Sequence, residues 1–398
     1  MKTHLPSLLA ATLLATASPG IALLVPQETE YSDFGRELGE LARSNGVPGL
    51  SAAIVHNQQI VWAEGFGLAD IEKKVPATER TLYRIASVSK PFAAVLLLQP
   101  VDEDRLELDA PMREFTIHPS FEPNAGSWAH YPSRYLEKPI TVRHVLTHTS
   151  EADPPGSAYH YSGNIFGDLT YVIEDVLRES YPVALETRIF DVAKMDRTLA
   201  GQLAPDSSNL LVDLAAPYKI ENGLPVRATY PAFAVPPHLE VSGSGLDPVF
   251  RSPAETEAAR RELLREAYTP LYGANVAAGI LSNVMDLARF DVALDRGALV
   301  SAASRDAMFT AAVAPDGTSL PYGLGWFVEE IAGTKMVWHY GWYPPTVSAL
   351  YVKVPEKELT LILLAVTDRL SAEYAWTEEG IRASPYARLF LRHFRPPQ

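Results

Sequence analysis

Cysteine is absent from the 398 residues of this chain. Its absence removes a thiol nucleophile, a structural disulfide and thiolate zinc together, and leaves the redox compartment open. Positive charge is scarce: 34 Lys and Arg stand against 48 Asp and Glu, for a formal net charge of −14. A chain this acidic is a poor fit for nucleic acid or for a polybasic membrane contact. Small anionic substrates stay open, because the field inside a cleft can oppose the overall sign. Apolar runs long enough to span a bilayer are missing, as are internal repeats, low-complexity tracts and a Gly-rich phosphate loop. What is present is ordinary globular material, 47% apolar and 21% charged. The length suits one large α/β domain with a sizeable insertion, or two domains.

The N-terminus reads as a secretory signal peptide over residues 1–17. Met1-Lys2-Thr3-His4 is a short basic start, residues 8–15 are apolar, and Ala15-Thr16-Ala17 has the small-x-small pattern before a cleavage point. The pattern implies export to a periplasmic or extracellular space, with no membrane span after cleavage. Residues 21–25 extend the apolar run and would leave an anchor if processing failed.

Residues 32–45 have the spacing of an amphipathic helix. Two β-rich runs, 50–55 and 60–64, flank His56-Asn57-Gln58-Gln59 and suggest a hairpin. Between about 100 and 280 the chain is rich in proline and polar residues, with helix-like runs at 142–147 and 169–178. Strand-like runs return at 324–328, 335–339, 347–352 and 359–366, with Glu356-Lys357-Glu358 as a turn, and 382–393 closes as a helix. Asp102-Glu103-Asp104 reads as a solvated turn. The expected fold is α/β (α+β): a mainly antiparallel sheet flanked by helices, built from 32–99 and 280–395, with a mainly helical domain inserted at 100–279. Within the insertion, Ser252-Pro253-Ala254-Glu255 is a capping box after a Pro/Gly/Ser-rich loop. Residues 236–268 are thus either a lid over a cleft or a surface elaboration.

Ser87-Val88-Ser89-Lys90 opens an apolar helix, so the serine hydroxyl and the lysine amine share a face one turn apart. A serine is a weak nucleophile until a base takes its proton, and a desolvated lysine can be that base. The helix N-terminus adds N–H groups that favour developing negative charge. Pro91 is tolerated there, since the N–H it lacks would be unpaired anyway. Alone the tetrapeptide is weak, because Ser-x-x-Lys arises by chance about once or twice in such a length. The competing reading makes Ser87 a helix cap and Lys90 a solvated side chain.

Ile140-Thr141-Val142-Arg143-His144-Val145-Leu146-Thr147-His148-Thr149-Ser150 supplies the context. It resembles a segment of the serine β-lactamase and penicillin-binding protein superfamily, in the branch of class C β-lactamases, D-alanyl-D-alanine carboxypeptidases, and related esterases and aminopeptidases. Other stretches fall in that family's order: the Ser87 motif, Tyr159-His160-Tyr161-Ser162-Gly163-Asn164, Ala278-Gly279-Ile280-Leu281-Ser282-Asn283, Tyr322-Gly323-Leu324-Gly325-Trp326, and His339-Tyr340-Gly341. The resemblance covers residues 32 to 395, and it is the ordered set that carries it.

By that resemblance, Ser87 attacks a carbonyl to form an acyl-enzyme and Lys90 shares or removes its proton. Tyr161 relays protons to and from the leaving group, as a base only if cations such as Lys90 lower its pKa from about 10. Gly341 lets the substrate approach the strand backbone. The Trp342 N–H pairs with that of Ser87 as an oxyanion hole, and His339 and Tyr340 contact substrate. The chain also departs from the family's pattern. Asn164 stands one place late for Tyr-x-Asn, so it contacts substrate only if the backbone bulges and is otherwise structural. His339 replaces a lysine and Tyr340 a small hydroxyl residue, which weakens the grip on a substrate carboxylate and with it the case for penicillin. Tyr161 as a buried aromatic and His339 as a plain strand residue remain open.

His144 and His148 stand four apart, but Val145 occupies the place of a zinc-protease glutamate, so both read as scaffold. Nothing calls for a cofactor or a metal. The favoured function is an exported serine hydrolase acting on an amide or ester of a small molecule or peptide. A true β-lactamase or D-alanyl-D-alanine carboxypeptidase is the alternative, and a non-catalytic ligand-binding relative the third. The natural substrate and the oligomeric state are not legible in the chain.

Overall fold

A computed structural model describes residues 27–115, 134–200, 213–228, 276–371 and 380–394. The signal-peptide pattern of 1–17 and the 236–268 segment lie outside the described residues.

Helix α1 (Gln27–Ser44) is followed by a hairpin of β1 (Gly49–His56) and β2 (Gln59–Asp70). Its two turn residues, Asn57 and Gln58, take positive φ of 51° and 57°, the geometry that matches the twist of paired strands. After β3 (Val75–Pro76) and β4 (Tyr83–Arg84), a 3-10 turn over Ala86–Ser89 leads into α2 (Lys90–Asp102). The helix expected to contain Ser87 therefore begins three residues later, and Ser87 sits on the tighter turn. The described chain from α2 to residue 228 is mainly helical: α3 (Arg134–Glu137), α4 (Val142–Leu146), α5 (Gly163–Gly167), α6 (Leu169–Leu177), α7 (Tyr181–Leu185) and α8 (Asp191–Ala193). Short strands β5 (Leu199–Ala200), β6 (Tyr218–Glu221) and β7 (Leu224–Arg227) follow. Then come β8 (Ile280–Ser282), α9 (Val284–Asp295), α10 (Ala302–Met308), β9 (Phe327–Ile331), β10 (Thr334–Tyr343), β11 (Val347–Val354), β12 (Leu359–Ala365) and α11 (Pro385–His393).

Seven strands form one sheet in the order β3-β2-β1-β12-β11-β10-β9, with every pair antiparallel. The first strand of the chain pairs with the last, Leu50 opposite Ala365 and Ile54 opposite Leu361, so both chain ends build the centre of the sheet. Strands β1, β11 and β12 are apolar without a polar alternation because helices cover both faces. One face sends Ala53, Val55, Tyr351, Ile362 and Leu364 into a cluster with Phe92 and Leu96 of α2. The other sends Leu50, Ala52, Ile54, Leu350, Leu361 and Leu363 against Phe34 and Leu38 of α1 and Leu389 and Phe390 of α11. Helix α2 is buried nearly all round, from Lys90 to Leu98, which fits its uniformly apolar sequence. Leu146, Phe166, Leu169 and Leu185 of the helical segment belong to the same cluster as α2.

Two boundaries differ from the sequence reading. The strand expected from 324 starts at Phe327, because Gly325 turns the chain at φ +81° just before it. The closing helix splits into a 3-10 turn, Gly380–Ala383, and α11, where Ser384 caps the new start and Pro385 opens it. Asp102-Glu103-Asp104 is exposed and turns the chain after α2, as read, and the Asp102 carboxylate also takes the Ser301 N–H at 2.7 Å and both the Ser301 and Ser304 hydroxyls at 2.6 Å, anchoring the start of α10. Among the described residues no helix is long and apolar enough to cross a membrane.

Candidate active site

The Ser87 turn is held between two strands. On one side β4 pairs with β8, and Ile85 donates its N–H to the Ile280 carbonyl at 3.1 Å. On the other side β10 lies so close that a Cβ on Gly341 would sit 2.1 Å from the Ile85 carbonyl oxygen. Gly341 thus admits the Ser87 turn against the strand. Between these strands Ala86 is forced to φ +46°, a left-handed conformation costing a non-glycine residue roughly 1 kcal/mol or more. Backbone strain of this kind persists only where neighbours on both sides impose it.

From this turn Ser87 emerges half-buried while Lys90 is wholly buried. The Lys90 Nζ lies 3.0 Å from Ser87 Oγ and donates to the Ala277 carbonyl, also at 3.0 Å. No carboxylate pairs with it among the described residues, and burial alone pulls the amine down to about 7 from an ordinary 10.5. A neutral lysine keeps two N–H groups and a lone pair. With one N–H on Ala277, the lone pair is free to face the Ser87 hydroxyl.

Tyr161 comes from the loop before α5, whose first turn is capped by the Ser162 side chain accepting from the Ile165 N–H. The Tyr161 ring is half-exposed but its Oη is closed off from solvent without a hydrogen bond of normal geometry. Lys90 Nζ sits 5.0 Å from the ring centroid. Burial pushes the phenol well above its ordinary range, Tyr340 adds to the rise, and the nearby Ser87 hydroxyl eases it. The sequence reading required cations to lower this pKa. The structure reverses that direction, because desolvation outweighs everything else and Lys90 is itself close to neutral.

His339 of β10 is fully buried, and both ring nitrogens are committed. Its Nδ1 is 2.7 Å from the Tyr340 carbonyl, which can only accept, so Nδ1 carries the proton. Nε2 must then accept from the Tyr322 hydroxyl at 2.8 Å. Burial and the nearby Lys90 hold the imidazole well below its ordinary pKa, hence neutral. Tyr340 lays its ring along that of Tyr161, with centroids 6.0 Å apart at 26°. Trp342, the next residue but one, is exposed at the end of β10.

A Ser–Lys pair on a helical turn, a phenol over the lysine and a glycine strand beside the serine meet in one place. Residues 34–381 match the family model described as Beta-lactamase. The chain belongs to the beta-lactamase family. Esterase EstB of Burkholderia gladioli is 35% identical over 108 residues, which cover 27% of this chain and 25% of EstB. This chain therefore spans about a quarter of EstB's length. Penicillin-binding protein 4* of Bacillus subtilis is 24% identical over 348 residues, or 82% of this chain and 69% of that protein. A solved class C beta-lactamase superposes with a TM-score of 0.65 over 94% of this chain and 99% of the other. At 17% identity that last likeness shows the fold alone.

Within this beta-lactamase family member, the structure brings Ser87, Lys90, Tyr161, Tyr340 and Gly341 together with the end of β10 at Trp342. It does not bring in Asn164, an exposed residue of α5 whose side chain makes no hydrogen bond among the described residues. His339 lies beside Tyr161 and Tyr340 with both ring nitrogens hydrogen-bonded within the protein. Two residues that sequence reasoning passed over stand in the cluster. His148 lies against Tyr161 with ring centroids 4.4 Å apart, and Tyr322 lies 4.8 Å from His148. The His144/His148 spacing never shares a helical face, because α4 ends at Leu146 and His148 takes φ +58°. His144 instead caps α4, accepting the Thr141 N–H on Nδ1 at 3.2 Å. The signal for both lay in the motifs quoted for the family, Leu146 to Ser150 and Tyr322 to Trp326, which spacing alone could not assign.

Proposed function

We propose that this protein is an exported serine hydrolase that cleaves esters, or amides, through an acyl-enzyme on Ser87. The observation that carries the reading is a wholly buried lysine amine, with no carboxylate partner among the described residues, 3.0 Å from the hydroxyl of a half-exposed serine. Burying that amine is costly to the fold, and a binding protein gains nothing from it. Export rests on the basic–apolar–small pattern of residues 1–17.

In acylation, Ser87 Oγ bonds to the substrate carbonyl carbon while its proton passes to neutral Lys90. The carbonyl electrons move to oxygen, where the N–H groups of Ser87 and Trp342 receive the negative charge. The tetrahedral centre then collapses, breaking the bond to the leaving group. That group takes the proton back from the Lys90 ammonium by way of the Tyr161 phenol, which is protonated throughout its resting state. Water attacks the ester on Ser87 by the same route in reverse, releasing the acid and restoring the serine.

The substrate reading follows from charge. Among the described residues Lys90 is the one lysine or arginine that acts on His148 and His339, and the reaction needs it neutral. A carboxylate such as that of penicillin or of a D-alanyl terminus finds no fixed positive partner at His339. Uncharged esters and D-amino-acid amides do not need one. We expect p-nitrophenyl esters or D-amino-acid amides to be turned over with kcat/KM at least about tenfold above nitrocefin, a difference of about 1.4 kcal/mol in barrier. Nitrocefin hydrolysed as fast as the best ester would contradict this and favour the β-lactamase alternative.

A further inference from the structure

His148 grips the backbone on both sides of Tyr161. Its own carbonyl accepts the His160 N–H at 2.8 Å, and its ring Nδ1 accepts the Ser162 N–H at 3.2 Å. Between those two bonds the imidazole lies against the Tyr161 ring, with centroids 4.4 Å apart and planes 34° apart. The backbone at His148 takes φ +58°, an uncommon conformation for a non-glycine residue. A backbone N–H only donates, so Nδ1 carries no proton and the neutral ring keeps its hydrogen on Nε2. That Nε2 is buried and has no hydrogen-bond partner among the described residues. Protonation would place a hydrogen on Nδ1 and break the bond to Ser162. Burial keeps the ring neutral, since Tyr159, Tyr161, Phe166 and Tyr322 enclose it, and Lys90 adds to this whenever it carries its proton.

We infer that His148 is the positioning residue for Tyr161, its neutral ring fixing the loop so that the phenol stays at Ser87 and Lys90. The inference rests on the reading of Tyr161 as the proton relay of the proposed hydrolase. It makes specific demands on substitutions. Asparagine can offer an Oδ1 in place of Nδ1 and tolerates positive φ, so it keeps the Ser162 bond and loses only the ring contact. Phenylalanine keeps an aromatic face among Tyr159, Phe166 and Tyr322 and removes the unpartnered Nε2–H, but it cannot accept from Ser162.

The test is a double-mutant cycle on the purified full chain with a p-nitrophenyl ester, each variant's thermal melt being recorded alongside. His148→Phe should lower kcat about tenfold or more with KM within about threefold, and His148→Asn should recover most of the loss. In a Tyr161→Phe background His148→Phe should change kcat no further, because it acts through the missing phenol. Unchanged kcat in His148→Phe, the same loss with and without Tyr161, or a His148→Asn no better than His148→Phe would each overturn the inference. If His148→Phe does not fold, the cycle is run with His148→Asn, whose kcat must stay within about threefold of wild type, and a larger loss overturns it. Tyr161→Phe with undiminished kcat is a different result, and it defeats the reading of the site itself.

Discussion

In the proposed reaction Lys90 serves as the base because of where it is buried. No carboxylate pairs with it among the described residues, so desolvation moves its amine from an ordinary 10.5 to about 7, and His148, His339 and Tyr161 around it add no negative charge. The form able to take the Ser87 proton is the neutral amine. As pH rises through about 7 that form comes to dominate, so kcat/KM for an ester should climb with a single-proton slope and level off above it. A rate that is flat across that range, or that falls as pH rises through it, contradicts the assignment. The same group shapes stability. An unfolded lysine holds its proton up to about 10.5, whereas the folded one releases it near 7. Between those values the unfolded chain binds more protons, so this group's penalty is full below the lower value and fades as pH approaches the upper one.

Strand β10 acts as a unit through its backbone. Gly341 faces the Ile85 carbonyl at a distance that leaves no room for a methyl group, and Ala349 of β11 closes the other side. Gly341→Ala must therefore push β10 away from the Ser87 turn and carry the Trp342 N–H with it. Losing one aligned oxyanion donor should lower ester kcat by about 100-fold or more. Wild-type kcat in Gly341→Ala would show that β10 does not form part of the oxyanion site. How much of these elements was legible varies with the physics that decides them. The hairpin at Asn57-Gln58 and the strands β11 and β12 were readable, because turn chemistry and apolar runs are local. The 3-10 turn at Ala86–Ser89 was not, since its positive φ at Ala86 is imposed by β8 and β10 from far along the chain. The spacing of His144 and His148 gives no common helical face, because α4 ends at Leu146 and the His148 backbone turns to φ +58°.

The whole molecule closes a sheet from its two ends and sets the site where that sheet, α2 and the helical segment meet. The pairing of β1 with β12 was foreshadowed by strand-like runs at both termini, and the α/β reading with antiparallel strands holds. The partners that tune the site come from distant segments and leave no local trace. Ala277 reaches Lys90 across 187 positions, and Tyr322, which precedes β9, bonds the His339 ring. Elsewhere Lys353 of β11 is buried with Asp291 and Asp295 of α9, with the Tyr351 hydroxyl on the same Asp291 carboxylate, so that α9 is tied to the sheet by charge as well as by packing. The contrast is instructive: the lysine given carboxylates is held protonated, above its ordinary value, and the one denied them is left free to act as a base. The decisive measurement is to quench the enzyme in acid during turnover of a p-nitrophenyl ester, weigh the intact protein and map its peptides. One acyl group should appear, on the peptide containing Ser87, and should be missing from Ser87→Ala. An acyl group on another residue, or one that persists in Ser87→Ala, would contradict the account.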